Sequence, residues 1–484
     1  MRWTNRHTRG SCLAVLATLP FVSLAYAQSA PKPAAARSTS AQREEVSITV
    51  YNQNFGLVRE VRNLKLPTGR TALEFRDVSQ NIQPETVAIK ALGGSGFRVL
   101  EQNYRYDLLT PEKLLEKYVG KKVKVIRTND KTGKDEEQEA EVLSVAGGTT
   151  LKIGNEITYG YPGRISFPSV PDNLIAQPTL VWMLDNQAPK QKVEVTYLTQ
   201  NMTWNADYVF VINDADTAGD LNGWVTLSNN TGTSYENAKL KLVAGDVQRI
   251  QNQMPMGGAY RAAPAPTASA KASFQEEGFF EYHLYTLEHP TTLLTNEQKQ
   301  VSLLEAQNIK VDKRLIFFGA DYYYRGSYGQ VVSNQKVGVY LDIENKESNH
   351  MGMPLPKGTV RVYKADKAGS KQFIGEDAID HTPRDEKLRI KMGEAFDVVG
   401  DRKQMSWKPI SDCVGESSWQ IDLRNHKDTA VDVELVEPIG GDWEVTQESL
   451  PHTKKDANTF TFKPHIEARK DVKVTYTVRV RWCR

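Results

Sequence analysis

Five residues within one short stretch carry the side chains best suited to gripping something: Tyr322, Tyr323, Tyr324, Arg325 and Tyr328, in ADYYYRGSYGQ. A phenol offers a flat apolar face and a hydroxyl, which suits stacking on sugar rings or anchoring a protein partner. The competing reading is an edge strand and loop whose alternate tyrosines simply pack inward. Asp214, Asp216 and Asp220, in DADTAGD, offer oxygen ligands at spacings like those of a calcium loop. The bidentate Glu that completes such a loop is missing, which favours a solvated connection between strands.

Catalytic patterns are absent from the sequence: there is no G-x-S-x-G, H-E-x-x-H, Walker or G-x-G-x-x-G motif. Gly93-Gly94-Ser95-Gly96 approaches a nucleophile elbow, but Phe97 stands where the last glycine belongs, so a turn is expected. His283, His289, His350, His381, His426, His452 and His465 fall at no metal-ligand spacing. The acid pairs Glu376/Asp377 and Asp385/Glu386 fit solvated turns, since a glycosidase pair is defined by separation in space and not in sequence. No catalytic residue, cofactor or metal site is expected.

Arg2, Arg6 and Arg9 precede an apolar run from Cys12 to Ala25, and Ala25-Tyr26-Ala27 is a small-x-small cleavage site. Residues 1–27 therefore read as a secretory signal peptide, too short and too interrupted to span a bilayer as a helix. Taking those three arginines from the 61 basic residues leaves 58 against 59 acidic ones, a formal charge of −1. Nucleic acid is not an expected partner of a near-neutral exported chain. Processing also leaves Cys413 and Cys483 as the only cysteines, with no CxxC and no Cys/His cluster. An even count in an oxidising compartment predicts a disulfide, closing a loop of about 70 residues worth about 4 kcal/mol in the chain-entropy model. Two unpaired thiols are the alternative.

The elements that must position these residues are strands. Val193, Val195 and Tyr197 alternate with polar neighbours, Tyr208, Phe210 and Ile212 interleave with Val209 and Val211, and Leu240 and Leu242 alternate with lysines. Trp204 and Trp224 are of a size to fill the space between two sheets. At 484 residues the chain has room for roughly three to four units. The expected order is a disordered leader (28–45), an N-terminal β domain (46–106), a small Sm-like barrel opened by a helix at Thr110-Pro111 (107–170) and a central β-sandwich (171–250). A flexible Pro/Ala/Ser-rich linker (251–276), a β-rich continuation (277–414) and a C-terminal Ig-like sandwich (415–484) follow. The fold class is mostly β.

Several segments together resemble one family. They are VYNQNFGLVRE (50–60) with the LPTG turn (66–69), YLTQNMTWNADYVF (197–210), NGWVTLSNNTGTSYENAKLKLVAGDV (222–247), GMPLPKGTVRVYKAD (352–366), LRNH (423–426) and GGDWEV (440–445). This pattern is similar to a widespread bacterial envelope family of unknown function whose best-named relative is the mucoidy inhibitor A protein. The resemblance implies an exported β-rich protein and supplies no catalytic residues. The chain departs from that relative by carrying the small barrel where long coiled-coil helices are expected.

The reading that results is an exported, non-enzymatic envelope protein, periplasmic or else extracellular or envelope-associated. It would bind an unknown envelope protein or a surface polymer, with no transmembrane segment in the mature chain. The alternative is a hydrolase of envelope polysaccharide or peptide whose acids or Ser-His pair assemble only in the fold.

Overall fold

The computed structural model describes residues 34–93, 96–171, 174–249 and 274–483. The expected signal peptide lies outside them, as do residues 28–33 of the leader and 251–273 of the linker. Strands dominate, arranged in sheets of four, five, eight and fourteen strands, none of them closed. The alternation that marked Tyr208, Phe210 and Ile212 places all three in the core, on a strand flanked by neighbours on both sides. Trp204 is buried as expected, whereas Trp224 is exposed on the opposite face of its strand.

The strand Arg43–Tyr51 turns at Asn54 into Phe55–Lys65, which pairs along its whole length with Lys190–Gln200, more than a hundred residues away in sequence. Residues 46–106 and 171–250 thus share one eight-stranded sheet and one core, which includes Ile48, Val58, Trp182, Trp204 and Leu242. The boundary expected between two separate domains is not there, because local alternation records which face is buried but not which distant strand lies alongside. Residues 34–45, expected as disordered, form the strand Ala34–Ser38 parallel to Gly69–Arg76, then a short 3-10 turn. A strand with few apolar side chains is held by its backbone pairing, and Ser38 is buried where Arg62 Nη1 donates to its hydroxyl over 3.3 Å. Residues 274–276 open the strand Phe274–Phe279 and do not belong to a linker.

The insert leaves from one strand and returns to its neighbour: Phe97–Arg105 pairs antiparallel with Thr179–Asn186, with Arg105 opposite Thr179. Within the insert, Thr110 caps the helix Pro111–Lys117 by accepting from the Lys113 backbone N–H at 3.2 Å, and Pro111 supplies a preset φ at its first position. Five strands follow in the spatial order Glu156–Tyr159, Thr150–Ile153, Asp135–Ser144, Lys122–Thr128, Arg164–Ser166. Tyr118, Val123, Val125, Ala140, Val142 and Leu151 give them a small core of their own.

Two unusually long strands organise the rest. Glu297–Phe318 places Leu303 and Ile309 in the large core and Leu315 and Phe317 in a second, C-terminal one. Lys387–Ser411 does the same with Leu388 and Ile390, then Ala395 and Val398. A division at 414/415 therefore cuts through a shared core and through the pairing of Lys387–Ser411 with Val414–Asn425. A strand that runs out of one core into the next keeps its alternation, so sequence gives no sign of the crossing.

One local device recurs four times. Leu184-Asp185-Asn186, Leu227-Ser228-Asn229, Ile343-Glu344-Asn345 and Leu423-Arg424-Asn425 each bring a strand to its end with a buried aliphatic residue, a more exposed polar one and a buried asparagine. Every one of these asparagines donates through Nδ2 to backbone carbonyls of other segments: Asn186 to Leu66, Pro67 and Ala188, Asn229 to Thr233, Leu293 and Leu294. Asn345 reaches Met353 and Pro383, and Asn425 reaches Thr429, Ile466 and Glu467.

Candidate functional site: an aromatic end of the C-terminal core

Ala320 leads into a single 3-10 turn, Asp321–Tyr324, so the three successive tyrosines point in different directions and do not alternate as on a strand. Tyr323 and Tyr324 are buried, Tyr324 to 1% exposure, while Tyr322 and Tyr328 are 48% and 42% exposed. The five expected residues are thus divided into a buried support and an exposed surface. Tyr324 Oη donates to Glu437 Oε2 at 2.7 Å and meets Tyr476 Oη at 2.9 Å. Glu437 is fully buried and is neutralised by Arg402, also fully buried, whose Nη1 lies 2.8 Å from both carboxylate oxygens. Burial, then the adjacent Glu437 charge, pushes the Tyr324 phenol well above its ordinary range, so it stays a hydrogen-bond donor. The chain can approach this pair because residue 319 is glycine: a Cβ there would collide with the Glu437 carboxylate.

The other end of the segment is held by Gln404. Its Nε2 donates to the Gly326 carbonyl at 2.8 Å and its Oε1 accepts from the Tyr328 N–H at 2.6 Å. Between these two fixings the Tyr322 ring meets Tyr323 edge-on at 4.8 Å and Tyr328 at 5.9 Å. Arg325, exposed, reaches back to Asp321 at 2.8 Å. Two phenols and a guanidinium are presented on a loop that is already ordered, so a partner need not supply the cost of ordering it.

The same end of the molecule carries further aromatic residues that no sequence pattern singled out. A Cβ at Gly440 would lie 3.9 Å from Arg325 Nη2, and one at Gly441 would lie 3.4 Å from Trp482 Cα. Trp482 and Trp407 are stacked with planes 13° apart and centroids 6.1 Å apart, and a side chain at Gly415 would strike both rings. Cys413 and Cys483 are joined, with Cα atoms 5.4 Å apart, and the Trp482 N–H donates to the Cys413 carbonyl at 3.0 Å. The disulfide thus fixes the chain terminus that carries one of the two indoles.

The remaining candidates do not assemble. Asp216 is engaged by Lys313 and Lys364, each at 2.5 Å. Burial opposes its ionisation, but the two ammonium groups outweigh it and hold the carboxyl below its usual range. Asp220 accepts from the Asn308 N–H, and only the backbone carbonyl of Asp214 meets Lys364. Asp385 sits in a left-handed turn as expected, whereas Glu376 and Asp377 lie within the paired strand Lys371–Ile379 and not in a turn, Glu376 pairing with Arg361 and Asp377 accepting from the Lys391 N–H. Ser95 lies outside the described residues. His283, His452 and His465 each face a carboxylate, and among the described residues no group of three His, Cys, Asp or Glu side chains could hold a metal ion. Among the described residues each carboxylate with a displaced pKa is displaced downward, by cationic partners that outweigh burial at Asp342 and Glu45 and by hydrogen bonds at Asp366 and Glu112. That is opposite to the direction a general acid needs.

No helix of the described residues is long and apolar enough to cross a membrane. No protein-family model matches the chain, and no curated protein gives a significant match.

Proposed function

We propose that this protein is an exported, non-enzymatic binding or scaffolding component of a bacterial envelope, and that it engages its partner through the aromatic end of its C-terminal core. The observation that carries this is the presentation of exposed Tyr322, Arg325 and Tyr328 on a turn that buried Tyr324 and Gln404 fix to the C-terminal core. Preordered aromatic and arginine side chains are the groups that dominate binding energy at interfaces. Export is supported by the N-terminal arginines, the apolar run and the Ala25-Tyr26-Ala27 site, and a disulfide between the last two cysteines is compatible with it. The resemblance to the mucoidy inhibitor A family adds to the same reading. On it the two cores are Ig-like sandwiches, and the five-stranded insert is a small Sm-like barrel that serves as a structural or peptide-binding module. The occupant of the aromatic surface is an envelope protein or a surface polymer.

A photo-crosslinking side chain placed singly at Tyr322 or Tyr328, in cells making the full chain, tests the proposal. Adducts should form at both positions and not at Lys371, an exposed residue on the far edge of the fourteen-stranded sheet. Equal yields at all three positions would remove the site.

A further inference from the structure

The strands Phe274–Phe279 and Tyr282–Leu287 form a hairpin joined by Phe280 and Glu281. Phe280 is 86% exposed and has φ +58°, while Phe279 beside it is also exposed. A two-residue hairpin turn with positive φ at its first position is one that glycine fills without strain. Here an aromatic residue fills it, at the cost of backbone strain and of a solvated ring. Two unfavourable features at one residue call for something that ring contacts.

The acids around the tip narrow the choice. Glu281 stands at the turn, with Glu277 and Glu276 on the strand leading into it, Glu276 facing His283 at 2.8 Å and Glu277 facing Lys241 at 4.0 Å, so that Glu281 is the acid left to meet a partner's cation. They oppose approach to an anionic bilayer and favour a receptor that offers cations. The insert carries such a receptor. Leu114, Ile126, Ile165, Phe167 and Val170 line an apolar cleft of about 530 Å³ in which, among the described residues, Arg164 is the only charged lining residue. Ile126 and Arg164 also line the adjoining depression, where Arg127 and Asp130 stand. Arg164 meets Asp135, an exposed pair of the kind that exchanges partners at little cost.

Among the described residues of one chain, nothing covers the tip or the cleft. We infer that the Phe279–Phe280 hairpin tip of one copy docks in the insert cleft of a second copy, with Glu281 facing Arg164 or Arg127. The two surfaces differ, so the contact is head-to-tail and builds rings or filaments. Neither surface includes a residue of the aromatic surface around Tyr322.

Sedimentation of the full mature chain over a rising concentration series tests this. Wild type should associate, and Phe280→Gly should associate more than about tenfold more weakly while melting no lower, since it removes a strained and exposed ring. Val170→Asp in the cleft should weaken association similarly, and Glu281→Arg combined with Arg164→Glu should recover part of what each loses alone. A wild-type chain that stays monomeric throughout overturns the inference, as does association that both Phe280→Gly and Val170→Asp leave intact. Flotation with neutral and with anionic vesicles, abolished by Phe280→Gly, would assign the tip to a bilayer and also overturn it.

Discussion

Arg402 and Glu437 meet in the C-terminal core with no access to water, and the tyrosine segment hangs from them through Tyr324. Replacing Glu437 by Gln would leave a guanidinium buried without its counter-charge, a change that costs about 3–5 kcal/mol. Chemical denaturation of Glu437→Gln should show that loss. Tyr324→Phe, which removes the bond to the Glu437 carboxylate and the contact with Tyr476 Oη but no charge, should cost less, about 1.5–3 kcal/mol. Because these residues are scattered through the sequence, nothing local marked them. The cysteines were legible because only two remain after the expected processing, and the tyrosines because they are consecutive. Which tyrosines face outward was not legible, since a 3-10 turn replaces the strand that alternation assumes.

His381 sets a pH dependence at the same scale. The Lys357 N–H donates to its Nδ1 at 3.2 Å, and its Nε2 lies 3.2 Å from the Asn52 amide nitrogen. Burial, then the Lys357 charge, lowers its pKa, with Asp246 and Asp380 opposing and His283 adding the smallest downward push. The native state therefore binds fewer protons than the unfolded chain once pH falls below the ordinary histidine value of about 6.5. This contribution to stability is fully present at neutral pH and declines through the acid side of that value until the native imidazole also protonates. The difference in unfolding free energy between pH 7.5 and 5.5 should be smaller in His381→Gln than in wild type.

Among the elements, the four strand-ending asparagines do work that apolar packing cannot. Each ties the end of its strand to nearby loops by donating to two or three backbone carbonyls, from within the fold. Asn345→Asp sets carboxylate oxygens against the carbonyls of Met353 and Pro383 and against no donor on that side. It should destabilise by about 2 kcal/mol or more, and by more than Asn345→Ala at neutral pH. The recurring aliphatic-x-Asn triplet was present in the sequence as a repeat at irregular intervals. It carries no signal of its own there, because the segments between its copies differ in length and the triplet is short. Strands themselves were legible wherever one face is wet, and their partners were not, since register is decided by pairing across the chain.

For the whole molecule, the insert is the part that should come away. Its two connections leave and enter adjacent paired strands, Leu108 bridges to Ile175 at the stem, and its small core contains no residue of the other two. Joining Tyr106 to Gln177 through a short glycine turn should keep the rest folded, with its main calorimetric transition unchanged within a few degrees. Insolubility of the shortened chain would show that the stem is essential. The other two cores should not separate in this way, because the strands Glu297–Phe318 and Lys387–Ser411 belong to both.

Those two strands also decide how the protein bears load. Where neighbouring units are joined by a linker, tension straightens the linker before it reaches either fold. Here the strands themselves are the connection, paired to their neighbours on either side of the crossing. Tension drawn along them would act on many ladder bonds in parallel instead of opening them one after another. Between two anchored points in an envelope, such a chain would behave as a stiff strut rather than a hinge.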